Sequence, residues 1–245
     1  MNLDLVLVQE QYANSGLTGL LQCGSAPKSG IMVFNDRIAL TLLHNLSTEH
    51  CTVAHADYHG LGIYIISAYF QYGHDIVRHL EHLSYVMDRL AGNPVLIGMD
   101  SNAHSPLWFC ERRQYSGRGP DTEHRKTQME SFIFSRGLLI HNVQGQPPTF
   151  CGPNGSSNVD LTLSTRGVAI KEWRVHEGAS VSDHQLITYK MCGSGTARQS
   201  DREPNVRIAF RERGVNWAYF RSTLSARMGK LDSRLAANDL ANKYS

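Results

Sequence analysis

The stretch Val95-Leu96-Ile97-Gly98-Met99-Asp100-Ser101-Asn102-Ala103-His104 constrains this chain more than any other. Pro94 opens it, an apolar run with β-branched residues follows, and the polarity reverses at Asp100. Such a run, closed by polar residues, predicts a buried strand that ends at a sheet rim. Asp100 and Asn102 stand two residues apart, and on an extended backbone that spacing sends both side chains to one face. A carboxylate and a carboxamide therefore leave the rim side by side, where folds commonly mount functional groups. Asp, Ser and Asn also favour turns, so the stretch must be weighed with the rest of the chain.

Leu3 to Val8 predicts another buried strand, ending at Gln9-Glu10. Residues 11–30 carry four glycines and Pro27 and are expected as loop. Ile31 to Phe34 and Ile38 to Leu43 predict strands about a turn at Asn35-Asp36. Cys51 to Ala56 and Leu61 to Ser67 predict a hairpin turning near His59-Gly60. Then the period changes. Ile76, Leu80, Leu83, Met87 and Leu90 recur at three- and four-residue steps, an amphipathic helix with Asp75 as N-cap and Gly92 and Pro94 as its stop. After a loop over 111–120, Thr122 to Arg136 repeats the helical pattern through Met129, Phe132 and Ile133, with Gly137 as the residue past its end.

Leu138 to His141 is a short strand. A hairpin is expected to leave at Pro148-Thr149-Phe150, turn at Asn154-Gly155 and return over Asn158 to Ser164. Val168 to Val175 and Asp183 to Lys190 complete the strands. Many strands with two separated helices predict an α/β (α+β) sandwich in one domain, residues 1–191. A Gly/Ser- and Arg-rich linker over 192–207 follows, then a segment, 208–245, with a lone amphipathic helix marked by Trp217, Phe220 and Leu224.

Composition removes some classes. The formal net charge of +2 is too small to imply nucleic-acid binding by itself. Placement says more: Arg112, Arg113, Arg118, Arg125 and Lys126 cluster, as do Arg198, Arg202, Arg207, Arg211 and Arg213. Both runs read as solvated surface, with Arg112, Arg113, Arg118 and Arg125 also candidates for phosphate contacts. Cys23, Cys51, Cys110, Cys151 and Cys192 are odd in number and scattered, without the close spacing of a zinc knuckle or redox dithiol, which fits a reducing compartment. No segment has the apolar length of a membrane span, and no signal peptide is expected.

The ends of the predicted strands carry the chemistry. They bear Gln9-Glu10, Ser67-Ala68-Tyr69, Asp100-Ser101-Asn102, Asp160 within Asn158-Val159-Asp160, and Ser182-Asp183-His184. Each is a polar group attached to an apolar run. Any one has an ordinary structural explanation; five in this order are much harder to dismiss.

This ordered set resembles the endonuclease/exonuclease/phosphatase superfamily, which includes deoxyribonuclease I-like nucleases and apurinic endonucleases. Ser67-Ala68-Tyr69-Phe70, Asp100 to Ser105, Pro147-Pro148-Thr149-Phe150 and Ser182-Asp183-His184 look more closely like the endonuclease domain of non-LTR (LINE-type) retrotransposons. Pro153-Asn154-Gly155, Asn158-Val159-Asp160 and Leu163-Ser164-Thr165-Arg166-Gly167 are similar to the clade that inserts at specific repeated host sites. The likeness spans about residues 1–190, and the tail looks like a connector toward a reverse transcriptase.

The resemblance implies a four-layer sandwich of two mixed β-sheets flanked by helices, and a Mg²⁺-dependent (Mn²⁺ as a substitute) endonuclease. That enzyme would nick double-stranded DNA in the nucleus, leaving a 3′-hydroxyl that primes reverse transcription of the element's RNA, which the reverse transcriptase domain would hold. Glu10 would be a hard oxygen ligand to the metal, with Asp183 a second. His184 titrates nearest neutrality, and Asp160 would fix its tautomer. Asp100 or His184 would take the proton of the attacking water. Asn102 would donate to the phosphate, with Tyr69 and Thr149 supplying further hydrogen bonds. The hairpin with Thr149 and Asn154 is the expected reader of a DNA groove, since a two-stranded ribbon can enter one. Ser182, Arg118 and Arg166 are further expected DNA contacts. Trp108 and Trp173 are expected to pack rather than stack on bases.

Superfamily members place an Asn-bearing strand and a helix ahead of the Gln-Glu strand, and no counterpart is found here. The expectation is an unpaired strand edge, an exposed apolar face, impaired stability and weak nicking. Alternative activities are an apurinic-site endonuclease or phosphatase of the same superfamily, or a DNA-binding remnant without catalysis.

Overall fold

Alternating and continuous apolar runs become strands wherever a second layer waits to cover them. The computed structural model describes residues 3–10, 19–117, 119–153 and 155–192. In chain order these form β1 (Leu5–Gln9), β2 (Leu20–Leu21), β3 (Ser29–Val33), β4 (Ile38–Leu42), β5 (Cys51–Tyr58) and β6 (Leu61–Tyr69). Then come α1 (Ile76–Arg89), β7 (Val95–Asp100), the single turn α2 (Arg112–Tyr115), α3 (Pro120–Ser135) and β8 (Leu139–Ile140). The described chain ends with β9 (Phe150–Gly152), β10 (Gly155–Ser157), β11 (Asp160–Ser164), β12 (Ala169–His176) and β13 (Leu186–Cys192).

A six-stranded sheet in the order β4-β5-β6-β7-β11-β8 is the centre. Its β6–β7 pair is parallel and the other pairs are antiparallel. The parallel pair needs a crossover, and α1 supplies it. Asp75 caps α1 by accepting from the Val77 N–H, as its position predicts. The α1 stripe of Ile76, Leu80, Leu83 and Met87 packs with Met129, Phe132 and Ile133 of α3 on one sheet face, against Ile66, Ile97, Met99 and Leu161. Each fully buried Leu or Ile of this layer contributes roughly 1.5–3 kcal/mol.

The other face carries the three-stranded sheet β1-β3-β2, through Ile31, Leu5 and Leu7 against Ala54, Ala56 and Ile65. Gly98 permits this close approach. A Cβ there would collide with the Leu7 side chain, so β7 lacks a side chain where β1 crosses it. Gln9 Nε2 adds hydrogen bonds to Ser67 Oγ (2.9 Å) and the Gly98 carbonyl (3.3 Å), and Ser67 Oγ donates to the Val8 carbonyl (2.8 Å).

Among the described residues β1 pairs only with β3, and β13 only with β12. Both edges line an open cavity of about 1190 Å³, with Ile63, Ile65, Leu96 and Leu161 also on its walls. The result is an α+β fold of β-sheets flanked by helices, with parallel pairing confined to β6–β7 among the described residues. None of the described helices is long and apolar enough to cross a membrane.

Three expectations are corrected. The strands on either side of Asn35-Asp36 do not form a hairpin: β3 joins the small sheet and β4 the large one. The return strand of the Asn154-Gly155 hairpin is β10, pairing Gly155 to Ser157 with Gly152 to Phe150; β11 is a separate strand paired with β7. Within the loop expected over 111–120, Gln114 closes a capping box with Glu111 and forms the turn α2. Apart from Cys192, the expected linker and connector lie outside the described residues, as does Trp217.

Candidate active site

β6, β7 and β11 are neighbours, and their register sets both Tyr69 and Asp160 opposite Asp100. Tyr69 and Asp100 end their strands; Asp160 begins one that runs the opposite way. Three polar side chains thus meet at one rim of the large sheet. Glu10 arrives from the layer stacked on that sheet, immediately after β1, with φ of +53°. Left-handed backbone is uncommon for a residue bearing a side chain, and its strain must be held by surrounding contacts. His184 comes from the loop before β13, where it bridges to Phe150 of the hairpin.

His184 Nδ1 lies 3.0 and 3.1 Å from the two Asp160 carboxylate oxygens. Its Nε2 faces Glu10 Oε2 at 3.4 Å and Asp100 Oδ2 at 3.9 Å. The Tyr69 hydroxyl donates to Glu10 Oε1 at 3.0 Å. Phe150 sets its edge against the His184 ring, centroids 5.0 Å apart. Asp100 is wholly buried. Its oxygens accept from the Asn102 backbone N–H and from Asn102 Nδ2, both at 3.0 Å.

Burial, followed by the charge of Asp160, raises the Asp100 carboxyl well above the carboxylate range, and Glu10 adds to this. Burial pulls the His184 imidazole down. Its hydrogen bond to Asp160 and the charges of Asp160, Asp100 and Glu10 outweigh that and bring it up to about 9. Three acids crowded around one imidazole hold surplus negative charge, the setting that a divalent cation relieves. The ligand atoms of Glu10, Asp100 and His184 lie within 4.8 Å of one another. Two carboxylates and an imidazole suit such an ion. These residues form a divalent-metal-coordinating group.

The structure thus brings together Glu10, Tyr69, Asp100, Asn102, Asp160 and His184, residues scattered along the chain. Other expected residues are placed differently. Asp183 stands outside the ligand group: its exposed carboxylate accepts from Ser182 Oγ at 3.3 Å, and its backbone carbonyl accepts from Cys151 N at 2.8 Å. Thr149 is 1% exposed, and its hydroxyl is spent on the Asp160 N–H (3.1 Å) and the Ser157 carbonyl. It braces Asp160 rather than presenting a donor to a ligand. Asn102 spends both amide hydrogens inside the protein, on Asp100 Oδ2 and the Phe70 carbonyl (3.2 Å), and so holds Asp100.

β11 leads away from the site, and Thr165 already bonds Val95 at the start of β7, so Arg166 sits on the opposite rim, roughly 20 Å along the strand. Ser182 is exposed beside the site, with its hydroxyl accepting from His184 N at 3.1 Å. Arg113 is exposed and pairs with Glu111 at 2.6 Å. Arg118 and Asn154 lie outside the described residues. Trp108 and Trp173 are buried packing residues. Arg125, grouped with surface arginines by sequence, is 1% exposed and reaches no surface. The missed signal was its spacing: it stands four residues before Met129, on the buried face of its helix. Phe150 was also missed as a neighbour of His184, although it sits in the quoted Pro148-Thr149-Phe150 motif.

A family model described as endonuclease-reverse transcriptase matches residues 63–188. The chain is 30% identical over 168 residues to the retrovirus-related Pol polyprotein of the type-1 retrotransposable element R1 from Bradysia coprophila, covering 67% of this chain and 16% of that protein. It is 23% identical over 250 residues to a 115 kDa protein of the element R1DM from Drosophila melanogaster, covering 98% of this chain and 24% of that protein. The chain therefore spans a quarter or less of these relatives' lengths. Among solved structures, the endonuclease domain of TRAS1, a telomere-specific non-LTR retrotransposon, superposes with a TM-score of 0.67 at 26% identity, over 78% of this chain and 86% of that one. The AP endonuclease LMAP of Leishmania major superposes with a TM-score of 0.57 at 14% identity, over 77% of each chain, a likeness of fold.

Proposed function

Because the chain belongs to the endonuclease-reverse transcriptase family, we propose that it is a Mg²⁺-dependent phosphodiesterase. In this reading it nicks double-stranded DNA, in the nucleus, to leave the 3′-hydroxyl that primes reverse transcription of a non-LTR retrotransposon. The observation that carries this is the convergence of Glu10, Asp100 and His184, with Asp160 behind the imidazole.

Glu10 is the carboxylate best suited to hold the ion, since Tyr69 fixes one of its oxygens and the other lies 3.4 Å from His184 Nε2, within the ligand group. When bound there, Mg²⁺ supplies positive charge to the non-bridging oxygens of the phosphate and to the departing oxygen. Asp160 holds the His184 ring through Nδ1 and leaves Nε2 directed at Asp100. Asp100 Oδ2 and His184 Nε2, 3.9 Å apart, are the pair that holds the proton released by the attacking water. As the water oxygen bonds to phosphorus, the bond from phosphorus to the 3′-oxygen breaks, and that oxygen takes a proton from solvent water to leave as the 3′-hydroxyl. Asn102 keeps Asp100 aimed, and Phe150 limits the swing of His184.

Supercoiled plasmid incubated with the chain and Mg²⁺ tests this. Conversion to open circles that a DNA polymerase extends, abolished by EDTA, is expected. Failure to nick in either Mg²⁺ or Mn²⁺, or nicks that cannot be extended, would overturn the reading.

A further inference from the structure

Arg125 is a buried cation held without an ion pair among the described residues. A guanidinium has five N–H donors in a fixed fork, and here each meets a backbone carbonyl. Nε donates to Asn102 (2.9 Å), Nη1 to His74 (2.9 Å) and Tyr72 (3.5 Å), and Nη2 to Phe70 (3.3 Å) and Ser101 (3.3 Å). Removing such a charge from water is costly, and the position repays it only through these bonds.

Their placement is informative. All five acceptors lie in two segments, 70–74 after β6 and 101–102 after β7, which leave the sheet beside Tyr69 and Asp100. Asn102 has φ of +45°, a left-handed conformation that needs external support. Arg125 Nε bonds the carbonyl of that same residue. The Phe70 carbonyl accepts from both Arg125 Nη2 and Asn102 Nδ2, so the two side chains share an anchor. From Asn102 the chain of bonds continues to both oxygens of Asp100.

We propose that Arg125 is a positioning residue: its guanidinium pins segments 70–74 and 101–102 together and so fixes Asp100 and Asn102 in the geometry that phosphodiester cleavage requires. The assignment rests on the reading of the site given above. Lysine cannot replace it, because a single ammonium has three donors on one atom and cannot span five carbonyls.

The test uses the full 245-residue chain as wild type, Arg125→Lys, Arg125→Gln and, as control, His184→Ala. Plasmid nicking is measured against DNA concentration, and amide exchange is followed at Ser101 and Asn102, since the Asn102 N–H is bonded to Asp100 Oδ1. Arg125→Lys should fold, lose about 10- to 100-fold in kcat with KM unchanged, and lose exchange protection at Asn102 while the sheet keeps its own. Wild-type kcat in Arg125→Lys, or a loss confined to KM, would overturn the proposal. So would failure of both variants to fold, which would make Arg125 a residue that holds the fold. If the wild type does not nick, the functional reading fails, and exchange alone decides: unchanged protection at Asn102 overturns the positioning role and selective loss upholds it.

Discussion

Asp160 meets the His184 ring through Nδ1 at 3.0 Å, and this leaves Nε2 as the one ring nitrogen facing Glu10 and Asp100. An imidazole held in this way has a fixed tautomer and a fixed direction of proton transfer. Asp160→Asn keeps the shape but can present an N–H to the ring. It should lower single-turnover nicking by about 10²–10⁴-fold while leaving DNA affinity unchanged. Quench-flow or gel time courses on one plasmid preparation check this.

The metal should depend on Glu10 and, through it, on Tyr69, whose hydroxyl donates to Glu10 Oε1. Glu10→Gln should abolish nicking at ordinary Mg²⁺. Tyr69→Phe should raise the Mg²⁺ concentration for half-maximal rate by about 10-fold or more, since outer partners of metal ligands typically matter to that degree. Asp183→Ala should affect the Mg²⁺ requirement less than Glu10→Gln does, because Asp183 lies outside the ligand group. Rate against Mg²⁺ concentration for all three variants is the measurement.

Stability should fall in acid through His79. Burial, and then the charges of His50, His74, Arg125 and Arg78, hold this imidazole down at about 4. It stacks on Phe70 and packs beside His50 and His74, each centroid 5.0–5.4 Å away. The unfolded chain therefore binds this proton more readily than the folded one between about pH 6.5 and 4. The contribution is complete above the unfolded value and is lost as pH falls toward the folded one, by up to about 3 kcal/mol. Denaturant unfolding at pH 7 and pH 4.5 should show a smaller acid loss in His79→Leu than in wild type. Equal losses would remove His79 from the account.

The two stacked layers meet at Gly98 and Leu7. Gly98→Val should lower stability by about 1–3 kcal/mol, because a Cβ there invades the Leu7 side chain. The same substitution in a Leu7→Ala background should cost less. Urea unfolding of the four proteins gives the coupling directly.

Much of the frame was legible because period and punctuation are local. The stripe from Ile76 to Met87 and the cap at Asp75 lie in neighbouring residues, and the helix formed as written. The same holds for the Val95 to Asp100 strand and for the hairpin turning at His59-Gly60. What failed depended on partners far away in the chain. Asn35-Asp36 carries a turn signal, but whether the next strand folds back or joins another sheet is decided by which layer buries it. The rim that Arg166 reaches was not legible either, because strand direction, which decides it, is not written in the strand itself. The convergence of Glu10, Asp100, Asp160 and His184 was legible through family resemblance, since no local pattern joins them. Arg125 escaped notice because a charged residue type outweighed its place on a buried stripe.

The most direct measurement compares Asp100→Asn, His184→Ala and the double variant in single-turnover nicking with saturating Mg²⁺. Groups that work as one unit lose together, so the account predicts that each single change removes nearly all activity and that the double falls no further. Losses that multiply, or a His184→Ala enzyme that nicks at the wild-type rate, would contradict it.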